Sequence, residues 1–434
     1  MLETPSGKEL ILMVERSTNT DDNEEEDILK GCPGEVVCVF LKCMEKIFYK
    51  FCFPLHWNAK YKKGDFFRIL VNAARDGDFI TNESYSHKLD DDGPAADTLL
   101  YHLRKLDMKT ADKLYKRANW YLYLFAKKHK VFRRKNVQIA IDFTDKEYWG
   151  ELDGEWVHKT KKSKKKMRVH RWVVVSFVDR DQKYIIYVEP ISISDETHKV
   201  LESVLERVFR VYNIFNARVY VDRGFFSVNC INVLKDFSAS HRMTWLMPAV
   251  KNERVKEKID LEIEKVYHNF TMRNKKREKA VFNLVIARNK KGELHAFATD
   301  LIVLTPSDLY PCYARRWQIE TNNRSIRYPF LITTTSKRMP TRDYLMKFAV
   351  LCTFAWMVIN ALLLRKFGLR CWLPGRTFVK LLVKSLSPEH GLNPERVTKV
   401  FRKAPASARA QTSVSSLSPL QKFCILLKFI SITI

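Results

Sequence analysis

Hydrophobic positions follow two different periods along the chain. Between about 58 and 135 they recur every three or four residues, which predicts amphipathic helices. One such run contains Leu99, Leu103 and Leu106, and the next is expected to begin at Thr110 as its N-cap. We therefore predict that residues from about 58 to 135 form a helical unit.

Short runs rich in β-branched residues replace the helical pattern after this unit. These runs are 137–142, 171–178, 184–188, 219–222 and 245–250. A helix capped by Ser194 or Asp195 is expected after the third run, and a helix over 226–237 after the fourth. The first three strands would form an antiparallel meander, and the later strands would return through helical crossovers. The predicted fold class is α/β, with a ribonuclease-H-like mixed sheet flanked by helices.

Residues from 251 onward depart from this alternation of strands and helices. Two β-like runs flank the segment 289–292, whose Asn-Lys-Lys-Gly sequence is a hairpin signal. We interpret the region as a β-rich insertion into the core. The full predicted organisation is a partly disordered leader (1–57), a helical, DNA-binding domain (58–135), the core's first part (136–250), the insertion (251–300), the core's second part with a catalytic helix (301–400) and a tail (401–434).

One apolar segment, 348–364, resembles a membrane span in composition. It is slightly shorter than the ~20 residues that a spanning helix needs, and charged residues bound it closely. We therefore predict a buried helix of a large core and no membrane partner.

The charge of the chain indicates an anionic partner. The formal net charge is +27 and the isoelectric point is about 9.6, which makes nucleic acid the first candidate. The helical unit carries many basic residues and is suited to duplex DNA, although an ordinary amphipathic helix pair has the same pattern. A second basic run lies between the first two strands and is expected to bind DNA through Lys161, Lys162, Lys164, Lys165 and Lys166.

The cysteines indicate a reducing compartment. There are nine, an odd count, and they are scattered. The cluster at Cys32, Cys38, Cys43 and Cys52 does not have the spacing of a zinc ribbon or finger. Reduced thiols are the expected state, which favours the cytoplasm.

Carboxylates follow two of the predicted strands. Asp142 ends the first strand and Asp222 the fourth, and those strands are neighbours in a ribonuclease-H-like sheet. The two carboxylates are therefore expected to meet at one edge.

A third acid lies in a basic helix later in the chain. At helical spacing Glu320 shares one face with an aromatic residue and several bases, namely Tyr313, Arg316, Arg324 and Arg327. This face alone could also be a surface with intrahelical salt bridges. Together with Asp142 and Asp222, however, Glu320 would complete a hard oxygen site for two Mg²⁺ or Mn²⁺ ions. The arginines would then hold phosphates.

These motifs resemble those of DDE transposases from bacterial and archaeal insertion sequences. Tyr313, Arg316, Glu320 and Arg327 have the spacing of the Tyr-Arg-Glu-Lys signature of the cut-and-paste group, with arginine in place of the usual lysine. The blocks around Asp142 and Asp222 resemble the family's first two acidic motifs.

The resemblance implies a catalytic triad of Asp142, Asp222 and Glu320, all acting as metal ligands. It implies that Tyr313, Arg316 and Arg327 contact the DNA backbone near the cut. The expected function is DNA transposition, with strand cleavage at terminal inverted repeats and strand transfer into target DNA by a homodimer. The expected location is the cytoplasm of a prokaryotic cell, in association with the nucleoid.

Two other functions agree with the same residues. One is a ribonuclease-H-like nuclease or resolvase that cuts without strand transfer. The other is a domesticated DNA-binding protein without catalysis, which the three acids argue against.

Overall fold

A large mixed β-sheet forms the centre of the computed structural model. The structure describes residues 31–84, 93–132, 137–150, 154–162, 165–179, 182–289, 291–301, 305–310, 312–313, 330–368, 371–386 and 392–402. The strands are β1 (Val137–Glu147), β2 (His158–Lys162), β3 (Lys165–Asp179), β4 (Gln182–Ile191), β5 (Ala217–Val221), β6 (Met243–Pro248), β7 (Lys265–Arg273), β8 (Lys279–Arg288) and β9 (Leu294–Thr299).

The order of the strands is that of a ribonuclease-H-like sheet with an extension. The path runs β2-β3-β1-β5-β6-β9-β8-β7, and β4 also pairs with β3. Antiparallel pairing joins β1, β3 and β4, whereas β1, β5 and β6 are parallel. The predicted meander and crossovers are confirmed, and so is the predicted fold class.

The hairpin signal at 289–292 is also confirmed. Gly292 donates its amide to the carbonyl of Asn289 and has a φ of +82°, a conformation that glycine adopts without strain. The turn joins β8 to β9, and β9 pairs with β6. The 251–300 region therefore continues the central sheet.

Helices cover the sheet and build the rest of the core. Their bounds are α1 (Pro33–Phe51), α2 (Lys63–Asp76), α3 (Ala96–Lys105), α4 (Met108–Lys128), α5 (Thr197–Tyr212), α6 (Val228–His241), α7 (Glu253–Ile259), α8 (Met339–Phe367), α9 (Gly375–Ser385) and α10 (Pro394–Thr398). Both α5 and α6 are crossovers between parallel strands, and α6 packs on β6 and β8. Much of α1, which falls within the predicted leader, is buried.

The long helix α8 is the predicted apolar segment, extended at both ends. It packs against β4, α4 and α1, and 83% of its most apolar window is buried inside the protein. Among the described residues it is also the one helix long and apolar enough to cross a membrane. Its burial supports the interpretation as a core helix.

Several local expectations were wrong. Asp107, not Thr110, caps α4, since its carboxylate accepts the amide of Thr110 at 2.6 Å. Glu196 is the N-cap residue of α5, while Asp195 accepts the amide of Ser192. The lysine-rich segment before β3 was not assigned to any strand, yet it contains β2. Lysines are common on exposed strands because their charge opposes further strand pairing.

A buried charge cluster ties α8 to the sheet and to α4. The Lys347 ammonium lies 2.7 Å from the Asp343 carboxylate and 3.3 Å from that of Asp112. Trp172 of β3 donates its indole N–H to Asp343 at 3.2 Å. Asp343 is fully buried, and this burial raises the pKa of its carboxyl group while Lys347 opposes the rise. Removal of one partner would leave an uncompensated charge in the core.

We expect Lys347→Met to lower the free energy of unfolding by about 3–5 kcal/mol, because Asp343 then loses its cation. Urea unfolding followed by circular dichroism measures this change. The double variant Asp343→Asn/Lys347→Met removes both charges and keeps an acceptor for Trp172, so it should recover most of the loss. Equal stability of the single and double variants would show that the charge pair is not the cause.

Candidate active site

Two of the predicted acids lie side by side at the centre of the sheet. β1 and β5 pair in parallel with Ile141 opposite Val221, and the amide of Asp222 donates to the carbonyl of Ile141 at 3.2 Å. Asp142 and Asp222 therefore occupy the next rung of this pairing. Side chains alternate between faces along a strand, so both carboxylates lie on the face of Ala140 and Tyr220.

The predicted position of Asp142 at the end of its strand was wrong. β1 continues to Glu147 because its second half remains paired with β3. Asp142 is thus inside the strand and is only 8% exposed, whereas Asp222 directly follows β5 and is partly exposed. The backbone of a central strand holds the first acid rigidly.

A short turn holds the second acid. Asp222 precedes a 3₁₀ turn, Arg223–Phe225, and its Oδ2 accepts the amide of Gly224 at 3.2 Å. A Cβ at Gly224 would lie 3.4 Å from this same oxygen. The Oδ1 atom of Asp142 accepts the amide of Phe143 at 2.8 Å. Each carboxylate is therefore oriented by a backbone amide.

An aromatic stack supports the two acids from the opposite face. The rings of Phe143 and Phe225 lie 4.2 Å apart and nearly parallel. Arg171 lies over Phe143 and makes two hydrogen bonds with Asp145, at 2.7 and 2.9 Å, which raise the pKa of the guanidinium. Asp145 is therefore a structural partner of Arg171.

The segment leading to the third acid packs on the same face as Asp142 and Asp222. Leu309 and Tyr313 join Ala140 and Tyr220 in one buried cluster, and the Tyr313 ring lies 5.1 Å from that of Phe297. Tyr313 is only 3% exposed, a setting that favours packing over the predicted contact with DNA.

The remaining residues of the predicted catalytic helix lie outside the described residues. These are Arg316, Glu320, Arg324 and Arg327. Within the described part of the chain, no third acid, histidine or cysteine joins Asp142 and Asp222 to form a metal site. None of the described cysteines forms a disulfide bond.

The described part of the predicted basic run lies in the paired strands β2 and β3. Lys161 and Lys162 of β2 pair with Lys166 and Lys165 of β3. Lys164 lies outside the described residues. Because β3 also pairs with β1, this pair of strands lies next to the strand that carries Asp142.

Sequence reasoning missed a cationic cleft beside the acids. Its lining includes Lys146 of β1, Tyr148 and Trp149 just after this strand, and Arg342 of α8. The signal in the sequence was weak. It consisted of a lysine four residues after Asp142, which strand alternation sets on the same face.

A ribonuclease-H-like sheet with paired acids on its central parallel strands defines a class of enzymes that transfer phosphoryl groups on nucleic acids. The transposase DDE domain family matches residues 133–356, just over half of the chain. The chain belongs to this family and is a DDE-type transposase. No curated protein matches it.

A solved structure has a similar fold. It is a piggyBac transposase, determined by cryo-electron microscopy as a synaptic complex with hairpin DNA. The TM-score is 0.50 at 12% identity, and the match covers 88% of this chain and 85% of the other. At this identity the likeness concerns the fold.

We expect Phe225→Ala to lower the free energy of unfolding by about 3–5 kcal/mol, because it removes a fully buried ring from beneath both acids. Chemical denaturation measures the loss. Phe215→Ala, at a ring that is 72% exposed, is the matched control and should change stability by less than about 0.5 kcal/mol. An equal loss of stability in the two variants would show that the Phe143–Phe225 stack stabilises the fold no more than an exposed ring does.

Proposed function

We propose that this transposase cleaves DNA at the ends of its own mobile element and joins the freed 3′ ends to target DNA. The observation that supports this most is the placement of Asp142 and Asp222 on one rung of the parallel β1–β5 pair. The excess positive charge and the lysine-rich hairpin supply the attraction for the DNA backbone.

We propose that Asp142, Asp222 and Glu320 hold two Mg²⁺ or Mn²⁺ ions. Enzymes of this family use divalent metal ions, and carboxylate oxygens are the ligands that these ions prefer. When bound, such ions activate an attacking water or 3′-hydroxyl and stabilise the leaving oxygen. The two aspartates fit this role because neighbouring strands fix both carboxylates on one face.

The other residues of the site would hold and orient the DNA. Arg316, Arg324 and Arg327 follow Tyr313 in the sequence, and Tyr313 itself is buried on the sheet face of the two aspartates. We propose that these arginines bind the phosphates around the scissile bond, since a guanidinium matches a phosphate with two parallel hydrogen bonds. The membership of Arg316 and Arg327 in the Tyr-Arg-Glu-Lys signature remains a prediction.

The proposed partners are terminal inverted repeats, target duplex DNA and a second copy of the chain. The solved piggyBac complex contains DNA in a synaptic assembly, which supports a paired-end arrangement here. We also propose that the protein works in the cytoplasm of a prokaryote, on DNA of the nucleoid. The helical region before β1 is a proposed DNA-binding domain.

We expect Asp142→Asn, Asp222→Asn and Glu320→Gln each to reduce Mg²⁺-dependent cleavage of element-end DNA by at least about 10³-fold, because each removes a metal ligand. Gel assays with end-labelled duplex measure cleavage. Binding of the same duplex should remain within about threefold of the unsubstituted protein.

Asp195→Asn is the matched control, because Asp195 accepts a backbone hydrogen bond in a turn outside the site. This variant should retain cleavage. Full activity of any of the three site variants would remove that residue from the metal site. Cleavage without strand transfer by the unsubstituted protein would favour the nuclease or resolvase alternative.

We expect neutralisation of Lys161, Lys162, Lys164, Lys165 and Lys166 to glutamine to weaken duplex binding and flatten its dependence on salt. Each lost phosphate contact lowers the slope of log K against log salt by about 0.9. Fluorescence anisotropy over a series of salt concentrations measures the slope.

A charge-matched control replaces exposed lysines elsewhere, namely Lys199, Lys235, Lys251, Lys256 and Lys275. An equal effect of both sets would attribute binding to overall charge and not to the β2–β3 hairpin.

A further inference from the structure

A cleft of about 810 Å³ opens next to Asp142 and is not used by the acids themselves. One wall is the second half of β1 and the residues after it, from Phe143 to Gly150. The other wall comes from 331–337 and the first turns of α8. The cleft thus joins the central strand to a part of the chain nearly 200 residues later.

Two cations from opposite walls meet in this cleft. Lys146 donates from Nζ to the carbonyl of Ile332 at 3.1 Å. The guanidinium of Arg342, a residue only 7% exposed, donates to the carbonyl of Ser336 and lies 5.0 Å from the ring centre of Tyr148. Backbone carbonyls therefore orient both cations without neutralising them.

The electrostatics of the cleft favour an anion. Burial, together with the nearby charge of Arg342, lowers the pKa of Lys146 to about 8. Burial likewise lowers the pKa of Arg342. His170 faces the same two cations, and its pKa is lowered to about 4 by burial and by Arg342, so it adds no charge at neutral pH.

The acids along the cleft do not offset these cations. Asp145 is already paired with Arg171, and Glu147 is exposed. Strand alternation places both acids on the face opposite to Lys146. Among the described residues, the electrostatic contacts of Lys146 and Arg342 include no carboxylate. An anion would replace the hydration that these cations lost.

An aromatic ring at the edge of the cleft adds a second kind of contact. Trp149 lines the cleft, yet it is 89% exposed. An exposed indole face beside a cationic groove is the arrangement that binds single-stranded nucleic acid, because any base can stack on it.

We propose that this cleft binds unpaired DNA next to the scissile bond, with a backbone phosphate on Lys146 and Arg342 and a base on Trp149. The inference rests on the proposed function and specifies the DNA form that the site holds. Lys146 lies four residues after Asp142 on an extended strand, a distance of about 13 Å. A phosphate bound at Lys146 would therefore lie within a few nucleotides of the cut.

The cleft favours unpaired over duplex DNA. Stacking on Trp149 requires a base face that pairing and neighbour stacking would cover in a duplex. A strand end that has separated from its duplex would enter the cleft. Separated strand ends are the form of DNA expected at an opened cleavage site. The site would thus retain the strand end between cleavage and joining.

The test compares binding of fluorescein-labelled duplex with and without a short single-stranded overhang, by anisotropy in Ca²⁺ buffer. For the unsubstituted protein, the overhang should tighten binding about tenfold. Lys146→Met and Trp149→Ala should each remove most of this gain and leave binding of the blunt duplex unchanged. The matched controls are Lys235→Met and Trp57→Ala, at exposed residues outside the cleft.

Thermal stability separates a binding role from a structural one. Because the pKa of Lys146 is lower in the folded protein, its protonated form opposes folding fully below pH about 8 and less as the pH rises towards its unfolded value. Lys146→Met should therefore raise Tm at pH 7, by an amount that shrinks above pH 8. A lower Tm at pH 7 would mean that Lys146 is a structural residue and would overturn the proposal.

The remaining outcomes distinguish this proposal from the proposed function. If the protein binds blunt duplex but gains nothing from the overhang, the cleft proposal fails and the proposed function stands. If it binds neither form, both fail. If inorganic phosphate alone raises Tm as much as the overhang DNA does, the cleft is a site for free anions and the proposal is also overturned.

Discussion

The parallel pairing of β1 with β5 is the constraint on which the rest of the site depends. It aligns Ile141 with Val221 and so fixes Asp142 and Asp222 on the next rung. A shift by one residue would turn one carboxylate to the opposite face, because the side-chain period is two. Two other features hold this register in place. One is the Phe143–Phe225 stack, and the other is the pairing of β1 with β3 along nearly the whole length of β1.

Local patterns in the sequence predicted the parts of the fold that short-range physics decides. The hairpin at Asn289–Gly292 follows from its turn residues, and the strand order follows from β-branched runs separated by amphipathic helices. The acid at Asp222 was located because it directly follows a short buried strand. The family resemblance rested on the same blocks.

The features that escaped prediction depend on contacts distant in sequence. β2 did not read as a strand, since lysines carry little β propensity and only its pairing with β3 makes it one. The second half of β1 is polar and was not predicted to be part of the strand, yet pairing with β3 extends β1 past Asp142. The cleft could not be predicted because Lys146 and Arg342 meet only after α8 packs on the sheet.

The packing of α8 also has a consequence for how the chain acquires its structure. α1 and α4 come early in the chain, but their apolar faces are completed by α8, which is made more than 200 residues after the end of α4. During synthesis these faces stay exposed to other chains until residues 339–367 have left the ribosome, which makes aggregation the main competitor of folding. A chain without α8 would lack both the helix that covers α4 and the Lys347 ammonium beside Asp112.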